Sequence, residues 1–126
     1  MNVITIRTAV VAGVVCLGAS AATAQVVKQE VPGIRNFAKV ESTVACAGAI
    51  TADAVPAIKK MGYAAIINLR LATEPGADVE VHTAAAKAAG IPYFPIPFSA
   101  ANPDPAAVDA FLKVIATPGV QPAFIH

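Results

Sequence analysis

Five short runs of apolar residues along the chain predict β-strands, because glycine, proline or polar residues bound each of them. In order they are Asn36–Val40, Val44–Ala47, Tyr63–Leu69, Pro92–Phe98 and Gln121–Ile125. The first two are joined by a polar tripeptide and predict a hairpin. The third is apolar throughout, which is the pattern of a strand covered on both faces. In the fourth, Pro95 and Pro97 lack the N–H that a ladder requires, so we expect limited pairing there.

A first helix is predicted after the hairpin. Thr51 and Asp53 both suit its N-cap, and Asp53 is preferred because Pro56 then falls in the first turn, where its missing N–H costs little. Gly62 is expected to end this helix in the left-handed conformation.

Two further helices are predicted from amphipathic spacing. One covers Asp78–Ala89 and is followed by Gly90; its expected inward residues are Val81, Ala85 and Ala88. The other begins with Asp104 as N-cap and Pro105 at the first helical position. Its apolar residues recur at i, i+3, i+4 and i+7, which is typical of a helix packed on a core: Val108, Phe111, Leu112 and Ile115.

Strands that alternate with helices predict an α/β fold with a mainly parallel central sheet and helices on both faces. In such sheets ligands bind beyond the carboxyl ends of the strands. His126 follows the last predicted strand, and Arg70 follows the third. Arg70 could contact an anion there, or it could form a structural ion pair with Glu74.

The first 24 residues have the order of a secretory signal peptide. Arg7 is the one charged residue in this segment, Thr8–Ala22 is small and apolar, and Ala22-Thr23-Ala24 predicts cleavage before Gln25. A membrane span is the alternative, but the run is short for one and rich in alanine and glycine. Segment 25–33 is interpreted as a flexible lead-in. Export predicts a periplasmic or secreted protein.

Charge and cysteine content exclude several functions. Loss of Arg7 on cleavage leaves eight basic residues against eight acidic ones, so nothing favours nucleic acid or, after cleavage, a membrane as a partner. Cys46 alone remains of the two cysteines, too few for an internal disulfide or a structural zinc site. We expect Cys46 to be a small buried residue, and His82 to lie on a solvated helix face rather than to bind a metal.

Three stretches in order resemble a known family. They are "NFAKVESTVACAGAITADAVPAIKKMGYAAIINLR", "AAGIPYFPIPF" and the final "PAFIH". Together they resemble bacterial phosphatases with the cysteine-dependent dual-specificity fold, and most of all the phosphatase-like domain of beta-lactamase-hydrolase-like proteins. The resemblance spans about Ile34–His126.

The resemblance implies a phosphatase that hydrolyses phosphate monoesters through a phosphocysteine intermediate. In the family the last strand leads into His-Cys, five residues and an Arg, so 34–126 is interpreted as a truncated domain that lacks the nucleophile and the C-terminal helices. As given, the chain should be inactive. His126 would begin the phosphate-binding loop and orient it. The reaction requires no cofactor and no metal, and the implied partner is a phosphorylated small molecule or protein.

The sequence departs from the family where a general acid is expected. Family members place an Asp early in the loop after "I-P", but Ser99 and Ala100 stand there. Asp104 is the one carboxylate of that loop, and it is a weak acid candidate because it also suits the N-cap.

Two other interpretations stay open. A phosphatase-like fold without catalysis could bind an anion or a partner protein, which the missing acid favours. A rhodanese-like sulfur carrier also places a cysteine loop after a parallel strand, but "INLR" and "IPF" argue against it.

Overall fold

The computed structural model describes residues 25–126 of the chain. The signal peptide predicted for 1–24 lies outside the described residues. The longest helices found between 25 and 126 have 11 residues, too few to cross a bilayer.

One mixed sheet of six strands organises residues 25–126. In chain order the strands are β1 (Val26–Lys28), β2 (Ala38–Val40), β3 (Val44–Cys46), β4 (Ala65–Asn68), β5 (Tyr93–Pro95) and β6 (Ala123–Ile125). They lie side by side in the order β1-β2-β3-β6-β4-β5. The pairs β1/β2 and β2/β3 are antiparallel, and the three pairs made by β3, β6, β4 and β5 are parallel. The predicted hairpin and the mainly parallel α/β sheet are therefore confirmed.

Helices cover the sheet on both faces. The helices are α1 (Val55–Lys60), α2 (Val79–Ala89) and α3 (Pro105–Ile115). Alternate residues of β4 and β6 point to opposite faces, so Ile66 and Phe124 pack in the cluster with α1 and α2, whereas Ile67 and Ala123 pack in the cluster with α3. This double coverage explains the continuous apolar run around β4, whose four residues are all buried.

The start of α1 differs from the expectation. A short 3-10 turn at Ala52–Ala54 precedes the helix, so Asp53 lies inside helical structure and is not the N-cap. Pro56 is still in the first turn of α1, and Gly62 has a positive φ of 93° after its end.

The segment 25–33, expected to be a lead-in, contains β1. It pairs antiparallel with β2 and extends the sheet by one strand. A run of two or three apolar residues between polar ones does not identify an edge strand from the sequence. Such a strand is stabilised mainly by the neighbouring strand with which it pairs.

The prolines of the fourth predicted strand fit an edge position. Ile96 N–H donates to the Asn68 carbonyl at 2.8 Å, and Phe98 N–H donates to the Leu69 carbonyl at 2.9 Å. Pro95 and Pro97 alternate with these donors, so their missing N–H groups fall on the outer side of β5, where the sheet ends.

Candidate functional site

The carboxyl ends of the parallel strands meet at one edge of the sheet, and His126 lies there. Ile125 is opposite Cys46 of β3 and Ile67 of β4, which places His126 between the ends of both strands. His126 N–H donates to the Ile67 carbonyl at 2.9 Å, and Leu69 N–H donates to the His126 carbonyl at 2.7 Å. The backbone of His126 is therefore fixed by the sheet.

The His126 side chain points to the α1/α2 face, and the residue is only 4% exposed. Its ring lies among three other rings, with centroid distances of 5.7 Å to His82, 6.4 Å to Tyr93 and 6.4 Å to Phe124. Neither of its ring nitrogens has a hydrogen-bond partner within residues 25–126. The site thus presents an oriented imidazole whose two polar atoms are buried.

His82 is buried, so the prediction of a solvated helix face is wrong. It is 2% exposed, and with Ala86 it forms the buried part of α2, whereas Val81 is 48% exposed. The face that packs on the sheet is His82, Ala85, Ala86 and Ala89, an i, i+3, i+4, i+7 pattern. This pattern is present in the sequence, but it emerges only when a histidine is counted as a core position beside small alanines.

Burial disfavours the charged form of both imidazoles. It lowers the pKa of His126 to about 4, and the charge of protonated His82 and that of Arg70 lower it further. Burial also lowers the pKa of His82, while the Asp78 carboxylate and a hydrogen bond to the Ile50 carbonyl oppose that shift. A neutral imidazole has one N–H donor and one acceptor nitrogen, so His126 can both donate and accept a hydrogen bond.

Asn68 links three parts of the site. It ends β4 and is 1% exposed. Its Nδ2 donates to the Tyr93 hydroxyl at 2.8 Å, and its Oδ1 accepts from the Arg70 backbone N–H at 2.8 Å. The side chain therefore ties edge strand β5 to the loop that carries Arg70.

The Arg70 guanidinium is held by its own loop. Its Nε donates to the Pro75 carbonyl at 3.0 Å, and its Nη2 lies 3.7 Å from Glu74 Oε1. Of the two roles expected for Arg70, the ion pair with Glu74 is present. The side chain still lies close enough to His126 for its charge to lower the pKa of that ring.

Asp104 is the N-cap of α3, as the sequence predicts. Its Oδ1 accepts from the Ala106 N–H at 2.9 Å. It is exposed, and it is not among the charges that shift the pKa of His126. The structure thus brings His126 and Arg70 together, and it places Asp104 at a helix start where its contact is with its own backbone.

Cys46 is exposed, so the expectation of burial is wrong. Its neighbour Ala45 faces the α1/α2 cluster, and Cys46 therefore faces the other side of the sheet, where α3 packs over β4 and β6 but not over β3. Partial desolvation raises the pKa of the Cys46 thiol, which disfavours the reactive thiolate. Cys46 and the His126 ring thus lie on opposite faces of the sheet.

Across residues 25–126, no three His, Cys, Asp or Glu side chains converge to hold a metal ion. His82 and His126 are the two histidines of the chain, and their neighbours at this edge are an amide, a phenol and a guanidinium. The group suits hydrogen bonding and anion recognition.

Solved structures with a similar fold are described as candidate phosphatases. Two crystal structures of a candidate phosphatase (DUF442) from Shewanella putrefaciens CN-32 match with TM-scores of 0.62 and 0.60, at 23% and 22% identity over 75% of this chain. A candidate phosphatase from Neisseria meningitidis Z2491 matches with a TM-score of 0.56, at 19% identity over 68% of the chain. The matched parts cover 59%, 62% and 61% of those structures.

No protein-family model and no curated protein matches the chain. The likeness to the solved structures is below 25% identity, so it shows the fold and leaves the chemistry to be argued from the site. The resemblance inferred from the sequence is confirmed at that level. Residues 25–126 therefore share the fold of these candidate phosphatase structures.

Proposed function

We propose that the chain is the first part of a cysteine-dependent phosphatase that hydrolyses phosphate monoesters, with the nucleophilic cysteine directly after His126. The observation that carries this proposal is the position of His126, buried at the carboxyl edge between β3 and β4. In this fold, a residue that follows β6 emerges at the place where ligands of parallel sheets bind.

The chemistry requires three groups at one point. A thiolate attacks phosphorus and forms a phosphocysteine, which water then hydrolyses. Loop N–H groups at a helix N-terminus lower the thiol pKa and hold the phosphoryl oxygens. An arginine grips two of those oxygens with its planar fork. The end of β6 is hydrogen-bonded on both sides, through the Ile125 carbonyl to Ala47 and through His126 to Ile67 and Leu69, which gives such a loop a rigid start.

The substrate class follows from that reaction. It is a phosphate monoester on a small molecule or on a protein, and the signal peptide predicted for 1–24 directs the enzyme to the periplasm or outside the cell. Arg70 is an auxiliary anion contact, because its positive charge acts on the His126 ring. Its Nε bond to the Pro75 carbonyl and its ion pair with Glu74 at 3.7 Å hold the guanidinium in that loop.

The decisive experiment uses the natural gene read past codon 126. The encoded protein should hydrolyse an aryl phosphate, and changing the cysteine that follows His126 to serine should abolish turnover. Cys46→Ser is the matched control and should leave turnover unchanged, because Cys46 faces the opposite side of the sheet. The proposal would be contradicted by a residue other than cysteine after His126, or by an equal loss of turnover in Cys46→Ser.

Asp104 is tested separately in the same protein. Asparagine is as good an N-cap as aspartate but cannot donate a proton as an acid. If Asp104 acts only as the cap seen here, Asp104→Asn should keep kcat for a phosphate ester with a poor leaving group. A loss of kcat restricted to such esters would assign the general acid to Asp104.

A second candidate is a phosphatase-like module that binds an anion or a partner protein without hydrolysis. The loop after β5 favours this module. Ser99 accepts a hydrogen bond from Asn102 N–H at 3.3 Å, and Asp104 caps α3. Both side chains thus have local structural contacts, and neither is seen in the position of a general acid. Phosphate binding by calorimetry without turnover would support this module over the enzyme.

A further inference from the structure

Two buried imidazoles in contact are an unusual pair for a protein interior. His82 and His126 are 2% and 4% exposed, and their rings meet edge to face at 5.7 Å with an interplanar angle of 87°. His82 Nδ1 and both nitrogens of His126 have no partner within residues 25–126. A buried polar atom without a hydrogen bond is destabilising, so the pair is not explained by stability.

The two residues differ in how they are held. His82 belongs to α2, which also contributes Ala86 to the core. The start of this helix is capped by Asp78, whose Oδ1 accepts a hydrogen bond from Val81 N–H at 3.1 Å. The Ile50 backbone also acts on the His82 ring and raises its pKa. The nitrogens of the His126 ring have no partner within residues 25–126, and the rings of His82, Tyr93 and Phe124 lie around it.

We propose that His82 is a positioning residue that holds the His126 ring in its orientation at the carboxyl edge of the sheet. The catalytic meaning of this role rests on the proposed function, because a fixed His126 would direct its donor and its acceptor nitrogen toward the phosphate-binding loop. The contact itself is a property of residues 25–126 and can be tested without any activity.

Within residues 25–126, the titratable groups that face or act on the His126 ring come from three parts of the fold. His82 faces it from α2, Tyr93 faces it from β5, and Arg70 acts on it from the loop after β4. Asp78 acts on His82 from the start of α2. Phe124, from the same strand as His126, is apolar. A change in the titration of His126 can therefore be assigned when one of these groups is replaced.

Two variants separate the ring contact from the charge. His82→Phe keeps an aromatic ring against His126 and removes the titratable group. His82→Gln removes the ring and keeps a polar side chain. Thr83→Ala, at an exposed position of the same helix, is the matched control. Each is made in the 126-residue chain, and its fold is checked by circular dichroism before further measurement.

Proton and nitrogen NMR of the His126 imidazole provides the readout. In His82→Phe we expect nuclear Overhauser contacts between His126 and Tyr93 to persist, and the pKa of His126 to rise, because the charge of His82 lowers it in the native chain. In His82→Gln we expect those contacts to weaken or disappear, since the ring that restrains His126 is gone. Thr83→Ala should change neither.

Unchanged contacts in a folded His82→Gln variant, or an unchanged His126 titration in His82→Phe, would overturn the proposal. In the protein read past codon 126, His82→Gln should lower kcat by about 100-fold with little change in KM, because small misplacements of catalytic groups have effects of that size. If the NMR results hold but that protein shows no turnover, the positioning role stands and the proposed enzyme function fails.

Discussion

The two faces of the sheet are covered to very different degrees. On the α1/α2 face, Phe37, Tyr63 and Phe124 form a ring cluster with centroid distances of 5.6–6.4 Å, and both histidines lie beside it. On the other face, α3 has no fully buried residue, and Val108 and Leu112 are 42% and 55% exposed.

The difference shows that the α1/α2 face provides most of the buried core, whereas the α3 face leaves apolar side chains exposed. The α1/α2 face holds the larger core and the buried polar groups of the candidate site. The α3 face has a smaller core and a shallow apolar groove between the helix and the loops after β4 and β5, lined by Leu69, Phe98, Ala107, Val108 and Phe111. We therefore expect mutations to affect stability much more on the first face.

The largest effect should come from the aromatic cluster. Phe124→Ala removes a fully buried ring that stacks on Phe37 at 6.0 Å, and should lower the free energy of unfolding by about 3–5 kcal/mol. Phe111→Ala, on the half-buried face of α3, should cost about 1–2 kcal/mol. Urea unfolding of both variants measures the two losses, and equal losses would remove the distinction between the faces.

Acid should destabilise the protein through the α1/α2 face. The pKa of His126 falls from 6.5 to about 4 on folding, so the unfolded state binds more protons between these values. Stability is therefore full above pH 6.5 and declines as pH falls to 4, by about 3 kcal/mol for this one residue. His82, whose pKa is also lowered, adds in the same direction.

Urea unfolding at several pH values checks this dependence. His126→Phe removes the titrating group and should flatten the decline between pH 6.5 and 4, leaving the share from His82. A decline of the same size in His126→Phe would show that other groups cause the acid sensitivity.

The network at the end of β4 should contribute less. Asn68→Ala leaves the Tyr93 hydroxyl and the Arg70 N–H without their partner and should cost about 1–3 kcal/mol. Tyr93→Phe removes one of those bonds and should cost about 1 kcal/mol. The double variant, measured by thermal unfolding, should cost less than the sum of the two, whereas strict additivity would contradict the bond between these side chains.

The smallest effect is expected at the N-cap of α3. Asp104→Ala should cost about 1 kcal/mol, because the Ala106 N–H loses its acceptor. Asp104→Asn should be close to neutral, since asparagine caps equally well. If both variants lose the same stability, the charge of Asp104 and not its hydrogen bond supports this end of the molecule.

Much of the architecture could be predicted from local patterns. Three features depend on residues that are close together in the sequence. They are the hairpin of β2 and β3, the buried strand β4 and the Asp104 N-cap. The apolar pattern did not predict correctly which face of a helix contacts the sheet. Val108 and Leu112 were expected inside with Phe111 and Ile115, but α3 turns so that Ala107, Phe111, Val114 and Ile115 contact the sheet.

The candidate site was found only in part, for the same reason. The position of His126 after a parallel strand was readable, because strand ends of a parallel sheet share one edge. The burial of His82 was not, because its environment comes from β5 and β6, which are distant along the chain. The role of Asn68 was also missed, because in the sequence it is one polar residue within an apolar run. Its hydrogen bonds to Tyr93 and Arg70 form only when β5 and the loop after β4 are packed beside it.

The sequence by itself therefore determined β2 to β6, most helix limits and the residue that follows the last strand, since local periodicity, caps and turns act over a few residues. Only the tertiary structure decided that β6 lies between β3 and β4, that α2 presents His82 to the sheet, and that Cys46 stays uncovered. Those outcomes depend on which surfaces pack together, and burial is a property of the assembled layers rather than of any one segment.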